Sequence, residues 1–188
     1  MITRRFMLVG AASFAAASTQ RVRADGPILT DDGLYKEPWF LESLLDLADD
    51  LEGARKEGKR FAIMWELKGC PYCKETHFVN FAEPRIADYV KKNFEVLQLN
   101  IIGSRKVTDF DGAELSEKQL AAKYGVRFTP TFQFFGEGAL KGLPPAKREV
   151  ARAPGYMRPD DFLALFRYVR EKAYETKSFL DYLKSLPS

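Results

Sequence analysis

"KRFAIMWELKGCPYCKETHFVN", residues 59–80, decides how this chain is read. Lys59 to Leu67 is an apolar run with a β-branched residue and aromatics, too short for a typical helix, and reads as a buried central strand. Cys70-Pro71-Tyr72-Cys73 follows directly and opens a segment that reads as helix as far as Asn80. Pro71 suits the first turn, where its missing N–H has no intrahelical partner. Cys70 therefore sits near unpaired backbone N–H groups and the positive end of a helix dipole, both of which favour thiolate over thiol. Cys73 lies one turn deeper, and the neighbouring thiolate disfavours its ionisation. Two thiols made unequal in this way, Cys70 to attack and Cys73 to resolve, are what thiol–disulfide exchange requires.

Two cysteines at this spacing can serve two other purposes. Cys70 and Cys73 are the only cysteines and His77 the only histidine. A structural disulfide stabilises mainly by closing a long loop, and this pair encloses two residues. Cys70, Cys73 and His77 fall at i, i+3 and i+7, one helix face, but a structural zinc site wants four ligands, usually from two separated pairs. With no second pair in the chain, no metal is assigned. His77 is expected as a polar helix residue near the cysteines, with proton transfer as its secondary reading. Lys68 would add to the positive field if it leaned towards Cys70, although an exposed lysine is ordinarily just solvated.

On the N-terminal side, "PWFLESLLDLADDLEGARKEG" begins with Pro38 and repeats Phe40, Leu44, Leu47 and Leu51 at three- and four-residue spacing, which predicts an amphipathic helix closing near Gly58. The residues before it read as an extended lead-in with turns. Pro84 opens a further helix, "FEVLQLNII" is a second buried strand, and "GSRKVTDFDG" reads as a hairpin-like insertion turning at Asp111-Gly112. Ser116 with Gln119 is a capping box for a helix ended by Gly125. "RFTPTFQFF" and "REVARAPGY" are the last strands, and the tail from Pro159 is two helical pieces broken near Tyr174 to Lys177. A β-α-β unit, two further strands and flanking helices predict an α/β fold with a central mixed sheet covered on both faces.

The first 24 residues have the layout of an export signal. A basic head with Arg4 and Arg5 precedes an apolar and small-residue run from Phe6 to Ala17, and Val22-Arg23-Ala24 suits cleavage. The run is too short to span a bilayer. Thr3-Arg4-Arg5 leaves twin-arginine and Sec export both open. Residues 25–188 are then one domain. They hold 25 basic against 26 acidic residues, so the chain's formal +3 becomes −1. A nearly neutral surface offers no electrostatic reason to bind nucleic acid or an anionic membrane.

Strand, CxxC and helix, followed later by "AAKYGVRFTPTFQFF", resemble the thioredoxin superfamily. Export, "CPYCKETH", the "TDFDG" insertion and the tail "FRYVREKAYETKSFLDYL" are similar to its SoxW-type periplasmic branch, over nearly all of residues 34–186. The resemblance implies a thioredoxin fold with an N-terminal helix extension, a hairpin insertion and a C-terminal helical extension. It also implies a cis Pro130 facing the cysteines, with Thr129 presenting backbone groups to a substrate chain, and Pro71 and Tyr72 in the same surface. The chain would then be a monomeric periplasmic thiol–disulfide oxidoreductase without a cofactor, reducing disulfides of exported proteins linked to sulfur oxidation. A CcdA-type membrane thiol-transfer protein would re-reduce it. Oxidant, isomerase and a non-catalytic binding module stand as alternatives.

The sequence departs from ordinary thioredoxins in three places. Gly69 stands where they have tryptophan, and Pro-Tyr fills the loop, as in glutaredoxins. A Gly-Gly glutathione cradle after the proline strand is missing, which argues against glutaredoxin. Where thioredoxins keep a buried aspartate six residues before the first cysteine, this chain has Met64. Glu66, at the strand's end, is the candidate replacement as proton acceptor, against the plainer reading of a surface carboxylate.

Overall fold

A computed structural model describes residues 26–186. The export signal expected over residues 1–24 lies outside them. The chain runs β1 (Ile28–Leu29), β2 (Tyr35–Lys36), α1 (Leu47–Lys56), β3 (Arg60–Glu66), α2 (Pro71–Glu75) with a π-helical turn (Thr76–Asn80), α3 (Pro84–Asn93) and β4 (Phe94–Asn100). It continues with β5 (Lys106–Thr108), β6 (Glu114–Ser116), α4 (Glu117–Lys123), β7 (Thr131–Phe135), α5 (Pro145–Arg148), β8 (Glu149–Pro154) and α6 (Pro159–Arg170). A 3-10 turn (Ala173–Glu175) and α7 (Phe179–Ser185) close it.

The central sheet has the order β4-β3-β7-β8, with β3 and β4 parallel and the other pairs antiparallel. Alternate side chains of a strand point to opposite faces, and β3 divides accordingly. Ala62 and Met64 join one apolar layer with α3 and α6, whereas Phe61, Ile63 and Trp65 join the other with α1 and α4. The first layer is aromatic: Phe94, Phe132, Phe134 and Phe162 all set their rings 4.8–5.6 Å from that of Phe166. Burying one such side chain contributes about 1.5–3 kcal/mol. The polar edge of Trp65 is satisfied inside the sheet, its Nε1–H donating to Gln133 Oε1 at 2.7 Å.

The spacing from Phe40 predicts a helix from Pro38, but α1 begins at Leu47. Asp46 is its N-cap, accepting from the N–H groups of Ala48 and Asp49. Upstream, the backbone is committed to sheet edges: Leu41 N–H donates to the Val96 carbonyl, and Thr108 N–H to that of Leu45, at 2.9 and 2.8 Å. Phe40 consequently packs in the aromatic layer, Leu47 and Leu51 in the opposite one, and Leu44 is fully exposed. The capping box at Ser116 and Gln119 is present. The hairpin insertion pairs Lys106 with Ser116 and Thr108 with Glu114, and its Val107 and Phe110 are buried in the second layer. The tail breaks as expected, at the turn Ala173–Glu175, where Tyr174 Oη accepts from Arg60 Nη2 at 2.8 Å. The single turn α5 was not anticipated.

Candidate active site

Cys70 and Cys73 are joined as a disulfide at the point where β3 ends and α2 begins. Gly69, at φ +77°, supplies the left-handed backbone that turns the strand into the helix. Cys70 is the N-cap and Pro71 the first helical residue. The Cys73 N–H donates to Cys70 Sγ at 3.1 Å, so one of the helix's free donors already points at that sulfur. Cys70 is half-buried and Cys73 buried. Cys70 is thus the more accessible of the two.

Across from Cys70, the Thr129–Pro130 bond is cis, and the Thr129 carbonyl oxygen lies 3.5 Å from Cys70 Sγ. Pro130 is buried at the entrance to β7, and its own carbonyl accepts from Gly155 N–H at 2.7 Å. Beside this, Tyr72, Phe128, Thr129, Pro154, Gly155 and Tyr156 line an open groove. Tyr72 and Phe128 are 56% and 65% exposed, and the rings of Tyr72 and Tyr156 stack at 6.1 Å. Four residues read from the sequence (Cys70, Tyr72, Thr129 and Pro130) thus meet at one surface, with Pro71 between them. Phe128 and Tyr156 were not anticipated; "APGY" ends a strand and carries no signal of its own.

Glu66 is not a surface carboxylate. It is 1% exposed and lines a cleft of about 580 Å³ together with Cys70 and Cys73. Its Oε1 lies 3.1 Å from His77 Nε2, and Gln98 Nε2–H donates to its Oε2. His77 stands in the helical segment after the cysteines, as expected, but it is fully buried: the π-helical turn leaves Phe78 and Val79 outside and turns His77 inward. Its Nδ1 lies 2.9 Å from Glu37 Oε1. Both ring nitrogens are therefore engaged by carboxylates, which leaves neither for a metal shared with the cysteines. Burial alone would push the His77 pKa down, but the hydrogen bonds to Glu37 and Glu66 outweigh it and raise the pKa to about 9. Glu37 was missed by sequence reasoning, since it stands 40 positions from His77 in a stretch with no local pattern.

Lys68 does not lie free in solvent over its whole length. Its stem crosses Gly33, where an added Cβ would stand 2.9 Å from Lys68 Cδ. Gly33 belongs to the loop between β1 and β2, and Leu29, Leu34 and Tyr35 form the far wall of the cleft at the disulfide.

A profile for the family described as "Thioredoxin-like domain" matches residues 47–170. The chain belongs to this family. Among solved structures, this thioredoxin-like protein is similar to a thioredoxin-fold protein from Helicobacter pylori. The TM-score is 0.59 at 21% identity, over 78% of this chain and 86% of that one. It is also similar to a thioredoxin from Thermus thermophilus, with TM-score 0.51 at 22% identity over 66% and 83% of the two chains. At these identities the likeness is one of fold. Among curated protein sequences no significant match is found.

Proposed function

We propose that this protein is a periplasmic thiol–disulfide oxidoreductase, acting as the reductant of disulfides in exported proteins, in the manner of the SoxW-type thioredoxins it resembles. The observation that carries the reading is the placement of Cys70: half-buried above a buried Cys73, accepting the Cys73 N–H at 3.1 Å, and 3.5 Å from the Thr129 carbonyl next to Pro130. A bound thiolate there is stabilised by the backbone donor, and an incoming polypeptide finds backbone groups beside it.

In the reduced protein, Cys70 thiolate attacks one sulfur of the partner's disulfide. That S–S bond breaks, the distal partner sulfur leaves as thiolate and takes a proton from solvent, and a mixed disulfide forms against Thr129-Pro130. Cys73 then gives its proton to Glu66 and attacks Cys70 Sγ, breaking the mixed disulfide and expelling the second partner sulfur as a thiolate, which takes up that proton through solvent. Two electrons have passed from the Cys70/Cys73 dithiol to the partner. Regeneration requires an external dithiol, the role proposed for a CcdA-type membrane protein, and the sulfur-oxidation setting is part of the same proposal.

The test is catalysed reduction of a protein disulfide by dithiol, together with the potential of the Cys70–Cys73 couple against glutathione. Cys70→Ser is expected to abolish turnover. A potential near the about −270 mV of thioredoxin supports a reductant, whereas one near the about −120 mV of strong oxidants reverses the direction. Retained docking without any turnover by the wild type would leave a binding module.

A further inference from the structure

Residues 28–37 form a strap, the β1–β2 hairpin and the residue after it, that lies before the segment matched by the family profile. The strap does two things at the disulfide. Its loop and Tyr35 wall the cleft that Glu66, Cys70 and Cys73 line, and Glu37 reaches inward to a histidine that has no solvent exposure. Tyr35 also accepts, through its carbonyl, from the Gln98 amide that donates to Glu66.

We propose that Glu37 is a positioning residue for thiol exchange: through the His77 ring, hydrogen-bonded at both nitrogens, it holds the Glu66 carboxylate in place in the cleft that Cys73 also lines, so that the strap sets how readily the resolving thiol gives up its proton. This rests on the oxidoreductase reading above.

The physical case is one of compensation. A carboxylate with 1% exposure and no partner would be strongly disfavoured as an anion. Glu66 has two partners, His77 at Oε1 and Gln98 at Oε2. His77 in turn can present an N–H to Glu66 and another to Glu37 only as an imidazolium, and the second carboxylate is what makes that charged form favourable in a buried site. The groups facing His77 are Glu37 and Tyr35 from the strap, Glu66 from β3, and the rings of Phe40 and Phe81. Removing Glu37 leaves the imidazole with one carboxylate, lowers its hold on a proton, and makes ionised Glu66 costlier. When Cys73 attacks Cys70, its proton goes to Glu66 and then, through solvent in the open cleft, to the departing partner thiolate, so that Glu66 is again a carboxylate paired with His77 in the disulfide form.

His77 is the only histidine, so tag-free protein labelled at the imidazole yields one set of ring signals. Glu37→Gln is expected to lower the His77 titration midpoint and to reduce kcat for disulfide exchange on the order of tenfold at neutral pH, less than the loss of a directly acting general base. KM should stay unchanged and the pH profile of kcat should move, while Glu37→Asp should restore part of the rate. In wild-type protein the His77 midpoint should differ between the oxidised and reduced states, a readout that does not depend on a folded variant. Exchange by Glu37→Gln with the wild-type kcat and pH profile overturns the proposal. So does a His77 midpoint indifferent to the redox state of the cysteines. Failure of the oxidoreductase reading looks different: the wild type itself shows no turnover.

Discussion

Cys73 donates its backbone N–H to Cys70 Sγ at 3.1 Å in the disulfide form, so the buried cysteine's backbone already faces its less buried neighbour. In the reduced protein the same donor faces a sulfur that bears charge, and a hydrogen bond to the charged form lowers a pKa. The Cys70 thiol is therefore expected to ionise below the range of free cysteine, and Cys73 above Cys70. The check is the pH dependence of alkylation of reduced protein, with the modified residue mapped by mass. Cys70 should be labelled first and at a pH where free cysteine is largely unreactive. Alkylation of Cys73 first, or of both together, would contradict the assignment of roles.

The His77 site makes stability depend on pH, and the sign is fixed by the direction of its shift. The folded pKa is raised from 6.5 to about 9, so the folded state holds a proton that the unfolded chain releases between those values. The stabilisation is complete below pH 6.5 and is lost as pH rises through about 9. By linkage the full difference is on the order of 3 kcal/mol. Urea unfolding of the oxidised protein, followed from pH 6 upward, should show this fall. His77→Gln should be less stable at pH 6 and should lack the slope.

The groove at Tyr72, Phe128 and Tyr156 presents aromatic faces beside Cys70 without a charged side chain among its lining residues. Its contribution should therefore lie in holding a polypeptide, not in the sulfur chemistry. Tyr72→Ala and Phe128→Ala are each expected to raise KM for a protein disulfide several-fold, since an aromatic contact of this kind is worth about 0.5–1.5 kcal/mol. The second-order rate with a small aliphatic disulfide should hardly change. A loss of equal size with both substrates would move these residues from binding to the reaction itself.

Where function is local, the sequence was legible. The strand, Cys70, Pro71 and Cys73 are contiguous, so their geometry follows from strand and helix rules applied to neighbours. The helix cap at Ser116 is likewise local, and its side-chain bonds span three residues. The cis bond at Pro130 came from resemblance alone, because nothing in a Thr-Pro pair states its isomer. Glu37 was out of reach for a different reason. Its partner is 40 residues away, and only the path of the strap across the sheet edge brings the two together. The missing first half of α1 failed for a third reason. Pro38 and the apolar spacing both allow a helix, yet the N–H of Leu41 and the carbonyl of Leu45 are taken by β4 and β5. Tertiary hydrogen bonds overrode a valid local pattern.

That override has a direct consequence for two leucines three residues apart. Under a continuous helix from Pro38, Leu44 and Leu47 would share the buried face and respond alike. In the structure Leu44 has no burial to lose, whereas Leu47 is completely enclosed between α1 and the sheet. Leu47→Ala should therefore cost about 2–5 kcal/mol through lost transfer energy and the cavity left behind. Leu44→Lys should fall within about 0.5 kcal/mol of wild type, as surface changes away from special features do. Chemical denaturation of the two variants separates the alternatives. A marked destabilisation by Leu44→Lys would mean that residues 38–46 pack as a helix after all, and Phe40 would then be unable to reach the aromatic layer beside His77.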